Sequence, residues 1–407
     1  MLGAIHTKAL SRGAYFKSRC FRRYVSTQTP LELDSTARDE NYADLNYMYT
    51  DMFAGSDVKS PVVGTGGKEG LSEIDQLNAE ISETYDFTAQ PLSGHELEQV
   101  VRSAGRFILK SLSNNPYYNL ALEDYVFLNT PVPKEGLFSS ERLLFYVNDR
   151  CVVIGKNQNP WRELFLDECS KKGYEFVRRK SGGGAVVHDL GNVNYSYLTS
   201  RDLFRREYFN KQIMNWLVHA FPSASIGLSP RGDINLDNKK VSGSAFKVAK
   251  GKSYHHGTML VNADLASFSG LLKPDFLKGI EWSGGSVESV RSRVTNLSQM
   301  GIGNTDTFVD ICTEGFKYLM NENMPVYWAD ESYTRNAQIC ETISHLKSDE
   351  WLYDSGPNFT VSFNGHTINV EKGIIKDSTI SEGIGSHFRD FVSLLRKNKH
   401  FKTDIEI

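Results

Sequence analysis

Arg178-Arg179-Lys180-Ser181-Gly182-Gly183-Gly184-Ala185-Val186-Val187-His188-Asp189-Leu190-Gly191-Asn192 is the stretch on which the reading of this chain turns. It follows a strand-like run that holds Tyr174, Phe176 and Val177. Three consecutive glycines are costly inside a strand. They suit a place where the backbone must approach a ligand closely or adopt positive φ. Successive backbone N–H groups can form an anion nest there, and Arg178, Arg179 and Lys180 add positive charge. Together they suit a phosphate; a loose glycine turn beside a solvated basic cluster is the alternative reading.

A second signal lies downstream, where Asn238-Lys239-Lys240-Val241-Ser242-Gly243-Ser244-Ala245 and Tyr254-His255-His256-Gly257-Thr258-Met259-Leu260 read as strands around a Lys250-Gly251-Lys252 turn. The small residues after Lys240 leave room beside its ammonium, a compact point charge with three donors. Such a group can bridge a carboxylate and the phosphate that it attacks; a merely solvated lysine is the alternative. His255 and His256 are adjacent in a strand and point to opposite faces, which disfavours a shared metal.

Around these segments, Arg106 to Leu109 reads as a strand, and Asn115 caps a helix with Pro116 at its first position. In that helix Glu123 and Asp124 are expected to face solvent. Leu143 to Val147 and Cys151 to Ile154 flank Asn148-Asp149-Arg150 as a hairpin. Further helices are expected from Asn159-Pro160 to Gly173 and from Arg206 to Phe221. After Pro325, Phe359 to Phe363 alternates strictly before Asn364-Gly365, a type I′ turn, between helical patterns near Glu331 to Leu346 and Ser386 to Leu395. Strands and helices interleave without regular alternation, so the fold class is α+β. The expected organisation is a main domain over 105–325 with a mixed or antiparallel sheet, and a smaller α+β accessory domain over 326–407.

The 407 residues carry a formal net charge of -3, which argues against a general nucleic-acid binder. No apolar run is long enough to span a membrane. The five cysteines are scattered without a Cys-x-x-Cys pair, which supports neither a zinc site nor a disulfide framework, and Cys151 and Cys169 read as core. Before Glu32 there is no acid, while Lys8, Arg12, Lys17, Arg19, Arg22 and Arg23 sit among serines and apolar residues. Segment 1–31 therefore has the composition of a mitochondrial transit peptide, which would direct the chain to the matrix; a basic tail without a targeting role is the alternative reading. From Glu32 to Val100 fifteen acids face three bases, so 32–104 is expected to be a mostly disordered spacer. Gly66-Gly67-Lys68 within it is not a P-loop, because Glu69 stands where Ser or Thr is required.

The order of four motifs resembles the lipoate-protein ligase A family. They are Gly155-Lys156-Asn157-Gln158-Asn159-Pro160-Trp161, the glycine stretch from Arg179 to Asn192, Lys240-Val241-Ser242-Gly243-Ser244-Ala245, and His255-His256-Gly257-Thr258. Val290 to Leu297 looks like a further family segment, and Val370-Glu371-Lys372-Gly373 extends the likeness weakly into the accessory domain. The resemblance implies a domain of the biotin/lipoate ligase type and a two-step transfer. A carboxylate attacks the α-phosphate of ATP, and a carrier lysine then attacks the acyl carbon. It implies that Arg179 contacts the nucleotide, and that Gly184, Ala185, Val186 and Val187 line the nucleotide and acyl pocket with their backbone. Lys240 would bind both the acyl carboxyl group and the phosphate, and Asp233 is the candidate for Mg2+ or the nucleotide. The side chains of Val186, Val187, Leu260 and Val261 are candidates for the wall of an aliphatic channel, with ordinary core as the alternative. Lys180 stands where the family often has a small polar residue, and Val187 where it often has an aromatic one. The implied substrates are lipoate or octanoate. The implied partners are lipoyl domains of 2-oxoacid dehydrogenase E2 subunits and the glycine-cleavage H protein. A lipoyl or octanoyl amidotransferase using an acyl-CoA or acyl-carrier donor without ATP is the alternative enzyme. A non-enzymatic scaffold would not need both the glycine triplet and Lys240. The glycine-arginine repeat of biotin ligases is not found.

Overall fold

The computed structural model describes residues 90–273, 279–381 and 383–397. The basic start read as a transit peptide, and the acidic spacer as far as residue 89, lie outside them. Regular structure is present before the expected residue 105. Helix α1 (Gly94–Arg102) opens on a capping box in which Ser93 and Glu96 satisfy one another's backbone N–H groups. Its Leu97 and Val101 are fully buried. Those two residues at i and i+4 give the helix an apolar stripe, so an acid-rich stretch still packs on the core.

The framework is a six-stranded mixed sheet. Its strands are β1 (Phe107–Ser111), β2 (Arg142–Val147), β6 (Asn192–Ser200), β10 (Ser242–Ala249), β11 (Lys252–Leu260) and β13 (Val326–Ala329), in the order β10-β11-β6-β2-β1-β13. The strand period of two places Phe107, Leu109 and Leu144 on one face and Ile108, Leu143 and Phe145 on the other. Helix α2 (Pro116–Asn129) covers the first face; α5 (Tyr208–Ala220) and α6 (Thr305–Met320) cover the second. With both faces covered, every residue of β6 is buried. The expected α+β class holds.

The hairpin expected around Asn148 does not form. Strand β2 belongs to the large sheet, whereas β3 (Cys151–Ile154) pairs with β4 (Glu175–Arg178) and β5 (Val186–His188) in a separate three-stranded sheet. Asn148 is fully buried and is held by the side chains of Asn119 and His188, so its polar group serves a crossing between sheets rather than an exposed turn. By contrast, β10 and β11 form the expected hairpin, with Lys250 and Gly251 at φ 51° and 72°. Helices α3 (Pro160–Glu163) and α4 (Leu166–Lys171) replace the single helix expected before Gly173.

Strands β7 (Ile226–Leu228), β8 (Ile234–Leu236) and β9 (Lys239–Lys240) make a small sheet beside the framework. The remaining sheet has the order β12-β14-β15-β16, from β12 (Ile280–Gly284), β14 (Phe359–Phe363), β15 (His366–Glu371) and β16 (Ile374–Ser378). Helix α7 (Ala337–Lys347) packs beside α2, and α8 (Phe388–Lys397) covers the four-stranded sheet. The boundary expected at 325/326 is crossed in both directions. Strand β13 completes the large sheet by pairing with β1, and β12 crosses the other way to pair with β14. The Asn364-Gly365 turn joins β14 and β15 as expected.

Candidate active site

A cleft of about 340 Å³ opens where the glycine loop, the β7–β9 sheet, the start of β10 and the segment Val287 to Val290 meet. The loop's glycines are fixed by space and by dihedral angle. A Cβ on Gly155 would lie 2.1 Å from the Gly183 carbonyl oxygen, and Gly183 itself has φ +89°. Lys156 N–H donates to the Ser181 carbonyl at 2.8 Å, tying the two glycine segments together.

Arg179 lines the cleft but is only 5% exposed. Its guanidinium donates to Ser181 Oγ and to the carbonyls of Val153, Gly182 and Gly184 at 2.6 to 3.1 Å. Burial lowers its pKa to about 10. Arg178 is fully buried and donates to the carbonyls of Gln158 and Leu352, both at 2.8 Å. Trp351 Nε1 returns a bond to the Arg178 carbonyl at 2.8 Å. Lys180 and Lys247 each reach Asp124 at 2.7 Å. Burial alone would raise the Asp124 pKa, but the two ammonium groups outweigh it and hold the carboxyl below its usual range. The basic triplet therefore builds the loop rather than presenting charge to a phosphate. The cations that line the cleft, besides Arg179, are Arg206, Arg231 and Lys240.

Lys240 sits on β9, with its N–H donating to the Arg293 carbonyl at 2.9 Å and its carbonyl accepting from Thr295 N–H at 3.0 Å. Its Nζ meets Asp233 Oδ2 at 2.9 Å while a quarter of the side chain stays exposed. The expected room beside it is real: Gly243, Ser244 and Ala245 all line the cleft. Gly184, Ala185 and Val186 do so too. Val187 turns the other way and packs with Val152, Ile154 and Leu164, because alternate strand residues face opposite sides. Val261 joins the core under α5, and Leu260 is 8% exposed outside the lining. The apolar part of the wall comes instead from Leu120, Tyr146, Val153 and Val186.

The polar residues at this end are named in the sequence, but their connection to one another is not legible there. Glu123 and Asp124 are 4% and 5% exposed, against the expected solvent-facing position, since α2 is enclosed on all sides. His256 Nδ1 lies 3.0 Å from both Glu123 oxygens, and its Nε2 lies 2.7 Å from Ser181 Oγ. A directed chain results: Arg179 donates to Ser181, Ser181 to His256, and His256 to Glu123. His255 goes to the opposite face, where Nε2 contacts Ser244 Oγ at 2.9 Å. Ser289 joins the loop to the segment over it. Its Oγ accepts from Ala185 N–H at 2.8 Å and Gln158 Nε2 at 3.0 Å, and donates to Glu163 at 2.5 Å. Burial raises the Glu163 pKa. A usable signal for Glu123 was the apolar run on every side of its helix, which leaves a charged residue no exposed face.

The family described as "Lipoyl protein ligase A/B catalytic domain" matches residues 115–317. A Saccharomyces cerevisiae relative with the provisional name lipoate-protein ligase A is 44% identical, over 87% of this chain and 89% of its own. The chain belongs to the lipoate-protein ligase family. Lipoate-protein ligase A of Psychrobacter cryohalolentis is 36% identical, over 62% of this chain and 74% of its own. Among solved structures, P. falciparum LipL1 in complex with lipoate matches with a TM-score of 0.53 and 28% identity, covering 72% of this chain and 89% of that one. The ligase family's catalytic segment thus spans the glycine loop, Lys240 and the α2 carboxylates together.

Proposed function

We propose that this chain is an ATP-dependent ligase that joins lipoate, or octanoate, to the acceptor lysine of a carrier domain. The observation that carries the reading is Lys240 at the cleft, ion-paired to Asp233 at 2.9 Å beside the glycine loop. In the first step an oxygen of the acid's carboxylate attacks the α-phosphorus of ATP, and pyrophosphate leaves. In the second, the carrier's neutral lysine amine attacks the acyl carbon, AMP leaves, and the nitrogen sheds its proton as the amide forms. Lys240 places its ammonium between the two negative reactants, which is electrostatic positioning. Gly184, Ala185 and Val186 line the nucleotide and acyl channel, with Val187 behind them, and Arg179 holds the loop in shape. Mg2+ needs only one or two protein carboxylates when phosphates supply the other oxygens. Asp233 fits that role once substrate takes its place on Lys240.

The carriers are lipoyl domains of 2-oxoacid dehydrogenase E2 subunits and the glycine-cleavage H protein. A lipoyl domain incubated with lipoate, ATP and magnesium should gain the acyl mass, and octanoyl-CoA without ATP should give none. Transfer from the thioester alone would make the chain an amidotransferase. The acid-free start is a matrix presequence in this reading. A fluorescent fusion without residues 1–31 that still entered mitochondria would overturn that assignment.

Among the described residues no helix is long and apolar enough to cross a membrane, and no group of three or more metal-binding side chains is found.

A further inference from the structure

The polar groups behind the cleft form a hydrogen-bond chain whose direction can be read from its anchored end. The backbone carbonyls of Ser113 and Val147 can only accept, so the Asn119 amide nitrogen must face them, at 2.8 and 3.3 Å. The same nitrogen reaches Asn148 Oδ1 at 2.9 Å, and Ser111 Oγ donates to Asn119 Oδ1 at 2.6 Å. Asn148 therefore turns its own amide nitrogen to His188 Nδ1, 3.0 Å away. His188 Nδ1 is an acceptor, and the single proton of the neutral ring sits on Nε2. A doubly protonated ring is no alternative, because burial, Arg179 and His256 push its pKa down to about 3.

That Nε2–H is left over. His188 is 4% exposed and borders the cleft, yet its Nε2 is buried with no hydrogen-bond partner among the described residues. Its neighbours in the lining are engaged: His256 is held by Ser181 and Glu123, and Asn194 Nδ2 donates to the Tyr146 carbonyl at 3.3 Å. Buried donors in folded proteins are nearly always paired, and an exception calls for a partner. The wall also gives the donor a position. A Cβ on Gly243 would lie 4.0 Å from Lys240 Cε and 3.6 Å from Val186. His188 is two residues beyond Val186 on the same face of β5, roughly 6–7 Å from it along the strand.

We propose that the His188 Nε2–H is the specificity-determining donor for the far end of the acyl chain, where it meets a sulfur of the lipoate dithiolane and favours lipoate over octanoate. This rests on the ligase reading above, with Lys240 at the carboxyl end. Lipoate and octanoate share the carboxyl group and the eight-carbon chain, and differ by the two sulfurs. Sulfur is a weak acceptor that also packs well against aromatic edges, and Tyr146 lines this end. Octanoate offers no acceptor, so its binding leaves the donor as bare as before.

The test uses the full chain, a lipoyl-domain acceptor, ATP and magnesium, with three acids: lipoate, octanoate and cyclopentyl-pentanoate, in which methylenes replace both sulfurs. Wild type should use lipoate about five- to tenfold better than the carbocycle in kcat/KM, the worth of one modest hydrogen bond. His188→Asn keeps an oxygen for Asn148 but lacks the Nε2 donor, and should bring that ratio near one. His188→Gln places an amide N–H where Nε2 stands and should restore most of it. Equal use of lipoate and the carbocycle by wild type overturns the inference without any variant, even if the variants fail to fold. So does a His188→Asn protein that slows all three acids alike. Transfer of no acid by wild type overturns the ligase reading, and this inference with it.

Discussion

Two cations on the walls of one cleft are held in opposite ways. Arg179 is 5% exposed, with its planar fork donating to loop carbonyls and Ser181. Lys240 keeps a quarter of its side chain exposed, and its ammonium meets a carboxylate that is itself at the cleft. A guanidinium presents several donors in fixed directions and can saturate a set of carbonyls, so it becomes part of the wall. An ammonium on a flexible stem can exchange one anion for another, so it remains available to substrate. Equal formal charge thus says nothing about equal role; what decides is which acceptors surround it.

The largest effect expected from this contrast is on Lys240. Lys240→Ala should lower carrier acylation in kcat/KM by roughly 10²–10³, as for other removed electrostatic contacts to a developing charge. Its unfolding free energy in urea should stay within about 1 kcal/mol of wild type, since the ion pair is partly solvated. A large loss of stability with activity kept would reverse the assignment of the two cations.

Arg179→Lys sharpens the comparison from the other side, because it keeps the charge and removes the fork. Leaving the buried carbonyl of Val153 and the half-buried carbonyls of Gly182 and Gly184 without donors should cost roughly 2–3 kcal/mol of unfolding free energy. An unchanged denaturation midpoint would mean that charge alone matters at this position.

Ser289→Ala should give the smallest effect, about 1–2 kcal/mol of stability, by cutting the tie between Ala185 and Glu163. Glu163 has its folded pKa raised by burial, so the folded state holds the proton more tightly than the unfolded one. Removing a hydrogen bond to the carboxylate raises that pKa further. The loss should therefore be small below the unfolded pKa and grow as pH rises through the folded one. Denaturation at mildly acid and at neutral pH measures the difference, and equal losses at both would show that Glu163 does not feel Ser289.

How much was legible in the chain divides along the same line. Segments whose signals are local read correctly. Asn115 caps α2 through its side chain, and Asn364-Gly365 adopts the expected positive φ. Lys240 and its small-residue neighbours do meet at a cleft. Asn148-Asp149-Arg150 misled, because turn chemistry and a buried amide network use the same residue type. Glu123 and Asp124 misled because a polar residue on a helix suggests solvent until the enclosing strands are known.

The sequence by itself determined the α+β class and the glycine loop, and its ordered motifs pointed to the ligase family. These rest on covalent order, dihedral preference and short-range periodicity. Only the tertiary structure decided which cations are spent on the loop, that Val187 faces away from the cleft, and that His188 keeps a donor at its border with no partner among the described residues. Those outcomes depend on partners drawn from distant parts of the chain, such as the Leu352 carbonyl that accepts from Arg178 and the Asn119 amide that, through Asn148, orients the His188 ring. Hydrogen-bond satisfaction is settled by the neighbours that folding brings together, and the linear order of residues does not state it.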